Sequence, residues 1–166
     1  MSLDPLGPYI HLVDAPTEGP ETVWFCTWCG ARQPDIVYAG SPTGPDCVHC
    51  GNSPVRVADA YVAPLVDAPF LTIDAGSRII TISRRAVELL RVCGAEKVRG
   101  KPIGNVLLDA EVEGGDDRLR AVTSAIAGGQ RVAHRLIVRP AKTFGVHYRA
   151  RLAVCHPPRA ALLVLD

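Results

Sequence analysis

The sequence lacks a strong charge of either sign. Its formal net charge is +1 over 166 residues, so the overall balance does not draw it to nucleic acid or an acidic membrane, although a local patch can still bind either. No stretch approaches the roughly 20 apolar residues that span a bilayer. The opening, MSLDPLGPYIHLVDAPTEGP, has neither the basic start nor the continuous apolar run of a secretory signal. The expected setting is therefore cytoplasmic, without membrane, where a reducing environment makes structural disulfides uncommon. Also missing are a nucleophile and base at recognisable spacing, a glycine loop for phosphate, and a metal site with an open position. These absences argue against an enzyme.

What the sequence does have is grouped cysteine. Four of its six cysteines lie in Cys26-Thr27-Trp28-Cys29-Gly30 and Cys47-Val48-His49-Cys50-Gly51. A spacing of three lets one tight turn aim two thiolates at a single ion. The glycine after each pair permits the backbone conformation, often with positive φ, that closes such a turn. Two turns supply four sulfurs, the tetrahedral set that Zn²⁺ favours, from Cys26, Cys29, Cys47 and Cys50. A thioredoxin-like redox centre needs one CxxC on a helix after a strand, and this region has two pairs and no helical pattern. An iron site with four cysteines remains open. His49 lies between two better placed ligands and is expected as an exposed turn residue. The segment 22–57 is too short and too broken by proline and glycine to build a hydrophobic core. Strands are expected at Thr22 to Phe25, Asp35 to Ala39 and Val55 to Val57. The segment resembles a zinc ribbon, and a closed set of four cysteines implies a structural Zn²⁺ that folds the module. Trp28 is a candidate partner contact. Arg32 and Arg56 are the basic residues here, too few to favour nucleic acid.

Residues 1–21, rich in proline, glycine and acidic side chains, read as an extended arm. Residues 58–65 read as a linker or short helix. Beyond them, Pro69 to Ser83 form a hairpin pattern around Asp and Gly. Ser83 offers an N-cap to a helix running from Arg84 to Cys93, with Gly94 as its stop. After a less regular stretch, 95–109, a second helix fits Asp116 to Ala127, with Leu119, Val122 and Ile126 at helical spacing. Three strands close the chain at Arg131 to Arg139, Val146 to Cys155 and Arg159 to Leu165.

The stretches DAPFLTIDAGSRIITISRRAVELL and VRGKPIGNVL, with the closing strands ending in ALLVLD, make residues 66–166 resemble a PAS domain. Family members usually carry Asp-x-x-Gly-x-Ile in the hairpin. Here the glycine of Asp74-Ala75-Gly76-Ser77-Arg78-Ile79 stands one place early, and Ser83 stands where an Asn is common. The resemblance implies a sensory or interaction module that holds a small molecule between sheet and helices, or dimerises. The flavin-photoreceptor motif is absent, and the helix 116–127 has no histidine for haem. The expected fold class is thus α+β: a small four-cysteine zinc ribbon plus a PAS-like domain with a five-stranded antiparallel sheet and helices on one face.

Alternation along the closing strands refines this picture. His134, Leu136 and Val138 share one face of their strand, and Tyr148, Ala150, Leu152 and Val154 share one face of the next. With these faces toward the helices, His134 and Tyr148 become the polar groups of an apolar ligand pocket that includes Leu136 and Leu152. The competing reading makes them core residues bonded to backbone. Arg135, Arg139, Arg149 and Arg151 form a basic stripe on the opposite face, either solvated or docked against acidic residues of a partner or of the arm. The expected function is non-enzymatic sensing or regulation through a small ligand, a protein partner or a homodimer. The alternative is a transcription-linked adaptor whose ribbon touches nucleic acid or the transcription machinery.

Overall fold

A computed structural model of the chain describes residues 21–34, 46–51, 55–113 and 116–166. The arm 1–20 and the strand expected at 35–39 lie outside these residues. Strands β1 (Thr22–Cys26), β2 (Arg32–Gln33) and β3 (Val55–Asp59) come from the cysteine region. They are followed by β4 (Phe70–Ile73), β5 (Ile79–Ile82), helix α1 (Arg84–Leu89), β6 (Leu107–Asp109), helix α2 (Asp116–Ala127), β7 (His134–Pro140), β8 (Tyr148–His156) and β9 (Ala160–Leu165). All nine strands belong to one sheet, with a main path β2-β1-β3-β8-β9-β4-β5, β7 pairing β8, and β6 pairing β7. Every strand pairing is antiparallel. The class is α+β, with few helices. Two features enlarge the sheet beyond the five strands expected. One is β6, which lies within the stretch read as irregular. The other is β3, whose Val57 and Ala58 pair with His156 and Cys155, on an edge of β8 that β7 leaves free beyond Leu152. The boundary drawn at residue 57 therefore falls inside β3.

The apolar run of β9 explains the layering. A half-buried strand alternates, whereas one covered on both sides need not. All six residues of β9 are buried. Ala161, Leu163 and Leu165 join a core with Leu71, Ile73, Ile82, Leu136, Leu152, Leu119 and Ile126 on the α2 side. Ala160, Leu162 and Val164 join a second core with Phe25, Ala58, Val62, Ala63 and Phe70. The cysteine region shares this second core through Phe25 and Ala58, beside a small cluster of its own made by Cys26, Cys29, Ala31, Cys47 and Val55. Phe25 meets Phe70 edge to face, with ring centroids 5.7 Å apart, a favoured aromatic geometry. Residues 60–63 form a turn rather than a helix, with the N–H groups of Val62 and Ala63 both donating to the Asp59 carbonyl.

Local chemistry sets the hairpin and the helices. The Asp74 carboxylate accepts from the N–H groups of Gly76 and Arg78 at 2.9 Å each, the usual way aspartate closes a turn. The left-handed residue is Ser77, with φ 60°, at the place the PAS pattern gives to glycine. Its hydroxyl donates to the Arg120 carbonyl at 2.9 Å, which ties the hairpin to α2. Ser83 caps α1 as expected, accepting from Ala86 N–H. α1 is shorter than the periodicity suggests: it ends at Leu89, because Arg91 turns left-handed at φ 51°. Gly94, at φ 128°, instead opens a 3-10 turn, Ala95–Lys97. α2 spans the expected residues, burying Leu119, Thr123, Ile126 and Ala127.

Candidate metal centre

The first knuckle grows out of β1. Cys26 ends that strand, the Gly30 N–H donates back to the Cys26 carbonyl at 3.0 Å, and the Cys26 N–H donates to the Ala31 carbonyl at 3.0 Å. Gly30 adopts φ 75° and Gly51 φ 71°, the conformation for which glycine is suited. At Gly30 a side chain is also excluded by space, since a Cβ there would stand 2.4 Å from the Leu65 carbonyl oxygen. The second knuckle repeats the closure, with the Gly51 N–H donating to the Cys47 carbonyl at 2.8 Å.

The two turns bring Cys26, Cys29, Cys47 and Cys50 together, with all four sulfurs within 4.8 Å of one another. The contacts cross between knuckles: Cys26 Sγ to Cys50 Sγ is 3.6 Å and Cys29 Sγ to Cys47 Sγ is 3.8 Å. These cysteines are unbridged, and such separations far exceed the roughly 2.05 Å of a disulfide. Four sulfurs about 2.3 Å from a central ion form a tetrahedron with edges of about 3.8 Å. The donor set fits a metal ion such as zinc. Cys26, Cys29 and Cys47 are buried and Cys50 half-buried, and His49 is exposed.

The sulfurs are also solvated by the protein. Trp28 N–H points at Cys26 Sγ at 3.3 Å. His49 and Cys50 N–H groups point at Cys47 Sγ at 3.3 and 3.4 Å. Burial pushes the Cys26 and Cys29 thiols up. Burial also acts upward on Cys47, but the backbone N–H groups of Cys50 and His49 outweigh it with other hydrogen bonds and bring that thiol down to about 7. Gln33, which the cysteine spacing does not reveal, completes this shell. It is buried in the two-residue strand β2, and its Nε2 donates to Cys47 Sγ at 3.2 Å and to the Ala31 carbonyl at 2.8 Å. Its Oε1 accepts from the Val48 N–H at 2.9 Å. One amide thus ties both knuckles together and touches a ligand sulfur.

The centre is bonded to the rest of the fold through the first knuckle. The Trp28 carbonyl accepts from the Arg84 N–H at 2.9 Å, and the Cys29 carbonyl accepts from the Asp67 N–H at 2.8 Å. Arg84 is the first residue of α1, so the knuckle satisfies one of the amides a helix start leaves without an internal partner. The Arg84 and Asp67 side chains form an ion pair beside it. Trp28 itself packs half-buried against the cysteine cluster.

The other candidate residues fall elsewhere. Leu136 and Leu152 are buried in the α2-side core. His134 and Tyr148, both half-buried, lie on the same face, where His134 pairs with Leu152 and Val138 with Tyr148. Tyr148 lines a groove beside Arg85 and Leu89, while Leu136 borders a cleft on the opposite face. That second cleft, about 490 Å³, is bounded by Glu111, Arg135, Ile137, Arg149, Arg151 and Asp166. Arg135 and Arg151 face each other across the β7–β8 pair. Arg151 is already engaged, by the Asp166 carboxylate at 2.9 Å and by the Tyr61 carbonyl. Arg135 and Arg149 are exposed and Arg139 half-buried.

Among the described residues, no helix is long and apolar enough to cross a membrane. In comparisons with known proteins, no family model and no curated protein matches the chain.

Proposed function

We propose that the chain is a non-enzymatic regulatory module in which a structural zinc ion at Cys26, Cys29, Cys47 and Cys50 organises a ribbon against a PAS-like sensory domain. The domain acts by binding a small ligand, a protein partner or a second copy of itself. The observation that carries this reading is the bonding of the first knuckle to the domain: the Trp28 and Cys29 carbonyls accept from Arg84 and Asp67 N–H groups, and Phe25 packs on Phe70. A closed four-sulfur set leaves no position for substrate, which favours a structural ion over a catalytic one. Signalling needs contacts that differ between two states, and the Trp28–Arg84 bond joins the metal knuckle to the start of α1. Exposed Arg135 and Arg149 beside Ile137 supply a surface for an acidic partner. Nucleic acid is disfavoured for the ribbon, since Arg56 is buried and donates to the Pro158 carbonyl.

Native mass spectrometry with metal analysis tests the reading. One zinc per chain, together with a dimer mass or a retained small molecule, supports it. Metal-free protein overturns the role of the ribbon, and a monomer carrying zinc alone that also captures no protein partner from cells overturns the sensory role. For a partner found by this route, Arg149→Glu weakens association at low salt; unchanged association excludes the arginine face.

A further inference from the structure

We propose that the cleft formed by Arg91, Lys97, Lys101 and Lys142 is a binding site for a small polyanion, a molecule bearing two or more phosphate or carboxylate groups. The first observation is a matter of placement. The chain contains three lysines, Lys97, Lys101 and Lys142, and its other fixed positive side chains are all arginine. All three lysines line one cleft of about 260 Å³. They reach it from two segments more than forty positions apart, one after α1 and one after β7, and Arg91 adds a fourth cation. Among the described residues, no carboxylate lines the cleft. In a protein whose formal net charge is +1, four cations around one concavity are a local excess. Like charges in a concave, partly apolar site repel one another and focus a positive potential outward.

The second observation is that, among the described residues, this charge is not used in ion pairs. The ion pairs among the described residues are made by Arg84, Arg85, Arg118, Arg120 and Arg151. The cleft cations take part in none of them. The walls are nevertheless held in place by backbone. The Lys101 carbonyl accepts from the Ile79 N–H at 2.9 Å, and the Gly100 N–H donates to the Ile79 carbonyl at 2.7 Å. Across the cleft, the Ala141 N–H donates to the Val106 carbonyl at 2.8 Å. Arg91 is the residue that turns left-handed and ends α1, which brings its segment round to the cleft mouth. Asn105 and Thr143 add neutral polar groups beside a floor of Leu90, Val98 and Val106.

The size and the cation type narrow the ligand. The volume lies just under the about 300–1,000 Å³ of sites for drug-sized molecules, so the ligand is compact. An ammonium is a small, rotatable point charge suited to phosphate and carboxylate oxygens, whereas the guanidinium prefers a fixed fork geometry. The residues of this cleft belong neither to the metal centre nor to the partner surface.

Cys93 lines the same cleft and is the exposed cysteine of the chain, the other five being buried or half-buried. It serves as a reporter in the metal-loaded, full-length protein. Alkylation of Cys93 by iodoacetate, an anion, is compared with alkylation by neutral iodoacetamide, so that thiol reactivity cancels in the ratio. The positive cleft raises that ratio by roughly tenfold over free cysteine at low salt. Pyrophosphate and citrate are each titrated as competitors. Protection by pyrophosphate alone assigns phosphoryl groups, and protection by citrate alone assigns carboxylates. The variant K97Q/K101Q/K142Q, its folding checked by metal content and circular dichroism, keeps Arg91 and so brings the ratio most of the way down to that of free cysteine, and it abolishes protection. If it misfolds, the single variant K142Q, in the turn after β7, is read instead and lowers the ratio and the protection in part. A ratio equal to that of free cysteine in the parent protein overturns the proposal. So does protection by neither anion, or protection that persists undiminished in the folded variant.

Discussion

Replacing Gln33 by leucine separates a sulfur cluster that merely coincides from one built to hold an ion. The side chain is 6% exposed, so leucine fills much the same space while removing every polar atom. Among the described residues, these side-chain hydrogen bonds disappear: to Cys47 Sγ at 3.2 Å, to the Ala31 carbonyl at 2.8 Å, and from the Val48 N–H at 2.9 Å. The Ala31 carbonyl keeps the Cys26 N–H as a donor, so its loss is small. The Val48 N–H loses this acceptor, and Val48 is 65% exposed, so water replaces part of that bond. The Cys47 sulfur keeps the N–H groups of His49 and Cys50 but loses its side-chain donor. At about 1 kcal/mol for a typical bond, the sum is about 2 kcal/mol of stability in the metal-loaded state. Groups that orient a metal ligand typically cost about 10–100-fold in affinity when removed, and the lower half of that range is expected here because two backbone donors remain. Competition against a chromogenic chelator reads the affinity, and chemical denaturation with metal present reads the stability. Unchanged metal affinity in a folded variant would show that the amide does not support the sulfur, and the account of the outer shell would be wrong.

Phe25→Ala removes an aromatic ring that is fully buried in the core shared by β1, β3, β4 and β9. A loss of about 3–5 kcal/mol follows from such truncations, read by denaturant unfolding with metal in excess; a loss under about 1 kcal/mol would mean that the shared core is not a real constraint. At Ser77, with φ 60°, glycine relieves the backbone but loses the hydroxyl bond to Arg120, whereas alanine loses the bond and keeps the strain. Thermal melts should therefore rank Ser77→Ala below Ser77→Gly by about 1 kcal/mol, and the reverse order would refute the role given to the backbone. Burial, opposed by the nearby Arg56, pushes the Cys155 thiol up from 9.0 to about 11. The folded state therefore holds this proton more tightly than the unfolded chain, so its contribution is full below pH about 9 and is lost as pH rises through about 11. Stability should fall across that window, and Cys155→Ala should flatten the fall; an identical pH profile in the variant would exclude Cys155 as its source.

What could be read from the sequence was chemistry confined to short windows. The two CxxCG turns close through their own glycines, so their form follows from local spacing. Ser83 announces α1 because an N-cap needs only the following amides, and α2 shows in the helical spacing of Leu119, Val122 and Ile126. The rest depended on partners distant along the chain. The apolar spacing through Val92 suggests a longer α1, yet Arg91 leaves the helical region and the run ends early. The glycine at position 76 looks like the turn residue, yet the left-handed place is held by Ser77, whose hydroxyl finds the Arg120 carbonyl across the fold. The joining of β3 to β8 is a pairing of residues about a hundred positions apart. Only the unbroken apolar run of β9 hinted that a second layer must cover the outer face of the sheet. Gln33 gave no signal, since a glutamine in a two-residue strand reads as a surface residue until its amide is found beside a sulfur.

The same dependence on distant partners decides how far the loss of a metal ion would reach. In a free-standing ribbon, removing the ion unfolds the ribbon alone, because binding energy and folding energy are the same quantity there. Here β1 and β3 contribute Phe25 and Ala58 to a core that also contains Phe70, Leu162 and Val164, so unfolding them exposes one face of β9 and β4. It also withdraws the Trp28 carbonyl from the Arg84 N–H, leaving Ser83 as the cap of α1, a helix of only six residues that is too short to persist without its packing. The C-terminal end of that helix leads directly into Arg91 and the cleft where the lysines gather. Ion, shared core and short helix therefore lie in one line of contacts. The physical content of a regulatory reading is that an event at either end of this line changes the stability of the helix between them.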